Sequence, residues 1–212
     1  MDEIYKILIA AAVGFALNPF TEIIKKRIDI QHNHKKLNTK ISTTITTLGN
    51  AITTLNKTCA QREAFLGSPF LSNEPFMLPY LDIPEMKDDF ERAYPALSKN
   101  QRSLISLGIH GMSAVKKFED KISKFEEDLR TKLNDTVYTS ETDIKADHDK
   151  FYKRILACEK ATLYSLITIR ENFKLAASNK PQLYTDLENF KSAEQELGIS
   201  INKSWWPNLL KQ

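Results

Sequence analysis

A chain of 212 residues with 42% hydrophobic content is long and apolar enough to build a core, which excludes disorder throughout. Its net charge of +3 is localised: residues 1 to 24 sum to −2, residues 25 to 40 to +5, and residues 41 to 212 to zero. A neutral body argues against direct nucleic-acid binding, which needs cations spread over the face that meets phosphates, and two cysteines without a CxxC exclude a disulfide framework.

The first predicted element lies in KILIAAAVGFALNPFTEIIKKR, Lys6 to Arg27. From Ile4 to Ile24 the chain is 21 residues long, a helix of about 31 Å, which matches a bilayer's hydrocarbon core. Ile7, Leu8, Ile9, Val13, Phe15 and Leu17 make it apolar, and Pro19 predicts a kink, because proline removes a backbone donor and restrains the residue before it. The stretch reads as a single transmembrane span. Its rivals are a buried soluble helix and a cleaved export signal; Gly14-Phe15-Ala16 loosely resembles a cleavage site, but the acidic start Asp2-Glu3 is the reverse of what export signals carry. The basic flank of Lys25, Lys26, Arg27, Lys35 and Lys36 follows the span. Placement of lysine and arginine then puts residues 28 to 212 in the cytoplasm, on the inner side of a cell inner membrane. The same cations attract anionic lipid headgroups.

Apolar residues recur at Ile41, Ile45, Leu48, Ile52, Leu55 and Cys59 in alternating steps of four and three, which predicts an amphipathic, membrane-proximal helix within residues 28 to 66. Ile45 and Ile52 take heptad position a, Leu48 and Leu55 position d, a pattern suited to self-association as a parallel dimer. Packing of the stripe inside the chain's own bundle is the preferred reading, given Gly49 and the many threonines. Residues 67 to 97 begin with a proline-rich strap, in which Phe70, Phe76, Met77 and Tyr80 require a cover. The strap is expected to lie across the bundle, with contact to a partner or the bilayer as the alternative, and a short helix is expected from near Pro84.

Residues 98 to 212 are read as the bundle body. Ser98 caps one long amphipathic helix, with Leu104, Ile105, Met112, Val115, Ile122 and Leu129 on its apolar face; Ser140 caps a second, with Phe151, Ile155, Cys158, Thr162, Leu166, Ile169 and Phe173. A shorter helix from Pro181 ends at Leu197, before Gly198. In the tail, Trp205 and Trp206 suit either membrane contact or a cap on the core. The expected fold is all-α: an N-terminal transmembrane helix followed by an antiparallel helical bundle with long amphipathic helices. Its segments are 1 to 27, 28 to 66, 67 to 97 and 98 to 212.

The search for chemistry yields little. His32 and His34 are two apart and point to different helix faces, a poor metal site. Asp143, Asp147, His148 and Asp149 form the best group of ligand types, although an acidic turn near a helix start has its own electrostatic reason. No phosphate-binding loop or nucleophile elbow occurs. Cys59 and Cys158 fall on apolar stripes. No catalytic residue, cofactor or metal is assigned, and the chain is read as non-enzymatic. Membrane lipid and another protein, including further copies of this chain, are the expected partners.

The apolar KILIAAAVGFALNPF, the basic flank and a helical body without an active site together resemble the plan of small membrane effectors of bacterial anti-phage and toxin systems. The resemblance covers the whole chain but has no diagnostic residues. It implies a protein held quiet by a partner which, once released, assembles in the inner membrane and damages its barrier. Pro19, the strap and the tryptophan pair are then the membrane-active parts. A membrane-tethered scaffold or sensor that recruits a cytoplasmic protein is the competing reading, and a soluble helical-bundle protein the third.

Overall fold

The computed structural model describes residues 2 to 68, 84 to 180 and 185 to 211; at residues 2, 4, 8 to 18, 210 and 211 it describes the backbone alone. Among the described residues every regular element is helical. The helices are α1 (Asp2–Leu66), α2 (Lys87–Ala93), α3 (Lys99–Asp135), α4 (Glu141–Ala177) and α5 (Asp186–Leu197), with single 3-10 turns at Tyr94–Ala96, Lys203–Trp205 and Pro207–Lys211.

The first two predicted segments are one helix. α1 is 65 residues long and carries Pro19 inside it without ending, since proline removes one rung of the hydrogen-bond ladder and leaves the rest intact. Nor do its threonines break it. Thr39, Thr43, Thr46, Thr53 and Thr58 each turn the hydroxyl back onto the carbonyl four residues earlier, which satisfies the polar group within the helix.

α4 is the centre of the molecule, and α1 and α3 both pack antiparallel on it. Along α1, Gly49 lies beside Arg170, Arg62 meets Glu159, and Phe65 meets His148 and Tyr152. Along α3, Gly108 backs onto Phe173 and Gly111 onto Ile169. A methyl group at residue 108 would sit 2.6 Å from the Phe173 ring, so these glycines set how closely α3 and α4 approach. α5 closes the remaining side of α4 through Phe190 and Tyr164.

The local signals for helix ends act as expected. Ser98 forms a reciprocal capping box with Gln101, the Ser140 side chain accepts the backbone N–H of Asp143, and Gly198 ends α5 with φ at +62°. The short helix expected from near Pro84 is α2, which starts at Lys87; α5 starts at Asp186 behind a capping box of Thr185 and Glu188, and Pro181, where it was expected to begin, lies outside the described residues.

The apolar stripe of α1 is spent within the chain. Leu37, Ile41, Leu48, Ile52, Leu55 and Cys59 are buried in a core shared with Leu163, Leu166, Ile167, Phe173 and Phe190. Each aliphatic side chain of this kind contributes about 1.5–3 kcal/mol by leaving water.

The expected N-terminal transmembrane helix corresponds to the first part of α1. Among the described residues no helix is long and apolar enough to cross a membrane. The part of α1 from Pro19 onward carries Glu22, Lys25, Lys26, Arg27 and Asp29, too many charges for a span. The side chains of Leu8, Ile9, Val13, Phe15 and Leu17, on which the expectation rested, lie outside the described residues, as do Phe70, Phe76, Met77 and Tyr80 of the strap.

Candidate functional site

Leu37 is the first buried residue of α1 among the described side chains. Upstream of it α1 continues for another 35 residues, a rod of about 50 Å. Its described apolar side chains have no core to enter: Tyr5, Ile7, Phe20, Ile23, Ile24 and Ile28 are all more than half exposed. Their exposure sets this stretch apart from the buried stripe that begins at Leu37.

The basic flank divides in two. Lys25, Lys26, Arg27 and Lys35 are exposed, and none of them forms an ion pair among the described residues. Glu22, three and four positions before Lys25 and Lys26, pairs with neither. Lys36 and Lys40, in contrast, both grip the buried carboxylate of Asp89 on α2, Lys36 at 2.8 Å. Lys40 also donates to the Glu85 carbonyl at 2.7 Å. Hydrogen bonds from Lys36 and then Lys40 hold the Asp89 carboxyl below the usual carboxylate range, against the opposing effect of burial. Beneath this clamp Met86, Ala93 and Leu97 cover Leu37, Ile41 and Thr44, so α2 closes the end of the bundle from which the rod emerges.

The remaining predicted contact residues fall elsewhere. Leu48, Ile52 and Leu55 are buried and Ile45 is half-buried, so the stripe offers a second copy no free face. Trp205 and Trp206 lie on the bundle near the far end of α1. The Trp205 indole N–H donates to both Glu63 oxygens, at 2.9 and 3.1 Å, and Lys160 sits over its ring. Trp206 packs edge-on against Phe190 with ring centres 4.9 Å apart, and against Tyr164.

Two charged clusters are buried where the sequence suggested only apolar packing. Arg62 and Glu159 form a two-pronged ion pair at 2.8 and 2.7 Å, and the guanidinium also lies over the Tyr152 ring. Glu171 accepts from Arg170, Lys174 and Ser192, while Glu196 completes the same network. One signal for the first pair was readable: Arg62 continues the rhythm of Leu48, Ile52, Leu55 and Cys59. Its partner, 97 residues away, was not.

In the first cluster the two charges neutralise one another, and the second borders a surface cleft lined by Ile45, Glu171, Lys174, Ser192 and Glu196. Burial pushes the Cys59 and Cys158 thiols up, away from the reactive thiolate form. The acidic group at the start of α4 is engaged: Asp143 accepts from Thr139 and Ser140, Asp147 from Tyr138, and Asp149 from Lys145. Among the described residues no group of three or more His, Cys, Asp or Glu side chains is placed to hold a metal ion. His148 is half-buried, its Nδ1 has no hydrogen-bond partner, and burial lowers its pKa. Comparison of the chain with protein-family models, with curated proteins and with solved structures finds no match.

Proposed function

We propose that the chain is a non-enzymatic single-pass membrane protein, its helical head held in the cytoplasm, that acts as a membrane effector released from a protein partner. The observation that carries this reading is the run of exposed apolar side chains on the rod of α1, continuous in sequence with the apolar Ile7 to Leu17. A helix that leaves its bundle with Phe20, Ile23, Ile24 and Ile28 in water needs another solvent, and hydrocarbon is one that a bare helix can enter with its backbone already satisfied. The effector role is supported by the resemblance of the overall plan to small membrane effectors. Anionic lipid, a protein partner and further copies of the chain are its interaction partners under this proposal.

The test is expression of the full-length chain alone in bacteria. The protein should sediment with membranes, resist extraction by alkaline carbonate, and depolarise the cells. Membrane retention without depolarisation moves the assignment to a tethered scaffold or sensor. Recovery in the high-speed supernatant refutes the anchor itself.

A further inference from the structure

We infer that Lys25, Lys26 and Arg27 form a collar that selects anionic phospholipid headgroups and holds α1 upright in the membrane, while Lys36 and Lys40 take no part in lipid contact. This rests on the proposed anchor and adds the lipid class and the residues that recognise it.

Three features of the rod carry the argument. Consecutive residues on an α-helix are about 100° apart, so three adjacent cations face three sides of the rod. A helix lying flat on a membrane concentrates its cations on one side; a ring suits a helix that crosses the headgroup layer end-on. The exposed apolar neighbours Phe20, Ile23, Ile24 and Ile28 follow steps of three and four and share one face of the rod, and Arg27 stands on that same face, so a helix lying flat on lipid would press a cation into hydrocarbon whereas one crossing end-on does not. Finally, the cations of the collar are uncommitted, whereas Lys36 and Lys40 already neutralise Asp89.

Position along the rod separates the two sets. Lys36 lies nine residues beyond Arg27, about 13 Å further along the axis. That exceeds the screening length of about 8 Å at physiological salt, so a charge there gains little from the membrane surface. The head stands off the lipid, and α2 marks the end of the bundle that faces it.

Flotation of the full-length protein with phosphatidylcholine vesicles and with vesicles rich in phosphatidylglycerol tests this. Each cation at an anionic surface multiplies binding several-fold, so the anionic vesicles should capture the chain more strongly by a factor on the order of a hundred, a preference lost at high salt. Lys25→Gln, Lys26→Gln and Arg27→Gln together should abolish the preference while leaving membrane association in place. Lys36→Gln with Lys40→Gln should leave the preference unchanged. Equal capture by both vesicles overturns the lipid selection alone, as does a preference removed by the second pair and not the first. Flotation with neither vesicle overturns the anchor as well. Tight retention on duplex DNA that the triple substitution abolishes assigns the collar to nucleic acid and refutes this inference.

Discussion

Arg62 occupies a place on α1 where the rhythm of the stripe calls for an apolar residue, and its side chain is 1% exposed. A guanidinium taken out of water is stable there only because Glu159, 0% exposed, meets it with two hydrogen bonds and Tyr152 supplies a ring face. Arg62→Met should therefore lower the stability of the head by about 3–5 kcal/mol, because it leaves the Glu159 charge buried and unmatched. Arg62→Met with Glu159→Leu should recover most of that loss, since two apolar side chains of similar volume require no partner. Urea unfolding midpoints of the two variants decide it; equal destabilisation would mean that shape, not charge, holds the pair. The position of Arg62 was legible in the sequence as an anomaly in a periodic stripe. Its partner was not, because several carboxylates of α3 and α4 were equally available until the two helices were docked on one another.

α2 is an element whose importance only the fold reveals. Seven residues long, it is too short to persist alone. It is held by Asp89 between two lysines of α1 and by Ala93 in the core. Because the folded pKa of Asp89 is depressed, the clamp's contribution is complete above the unfolded value of about 4 and is lost as pH falls through the lower folded value. Asp89→Asn at neutral pH should reproduce the acid condition. With Lys36 half exposed and screened, the loss should be about 1 kcal/mol, a roughly fivefold rise in amide exchange across α2 and residues 36 to 44 of α1, the rest of the bundle unchanged. A uniform rise across α3 and α4 would contradict the local role given to α2. The starts of α3 and α4 and the end of α5 were legible because a cap is a contract between residues a few positions apart, whereas the Thr185 cap that starts α5 went unread. The choice between self-association and internal packing for Ile45, Leu48, Ile52 and Leu55 was not fixed by the same means. A period of three and four describes the buried face and is silent on what buries it.

The whole molecule consists of a head that is complete without its rod. Nothing described before residue 37 reaches the core, so a chain of residues 28 to 212 should fold with unchanged helicity in the bundle and a melting temperature within a few degrees of the full-length protein. Circular dichroism checks the fold, and sedimentation checks that the truncated chain leaves the membrane fraction. Unfolding of that fragment would show that the rod belongs to the core. From composition and periodicity alone the chain was bound to be helical, its charge excess confined to one segment and its long helices capped where they are, because each of these depends on neighbours within one or two turns. Tertiary structure decided that α1 runs unbroken from rod to bundle, that Arg62 finds Glu159, and that two of the basic residues hold Asp89 of α2. Those outcomes depend on which faces meet across α4, and pairings between distant residues are set by the packing of whole helices, which no local pattern encodes.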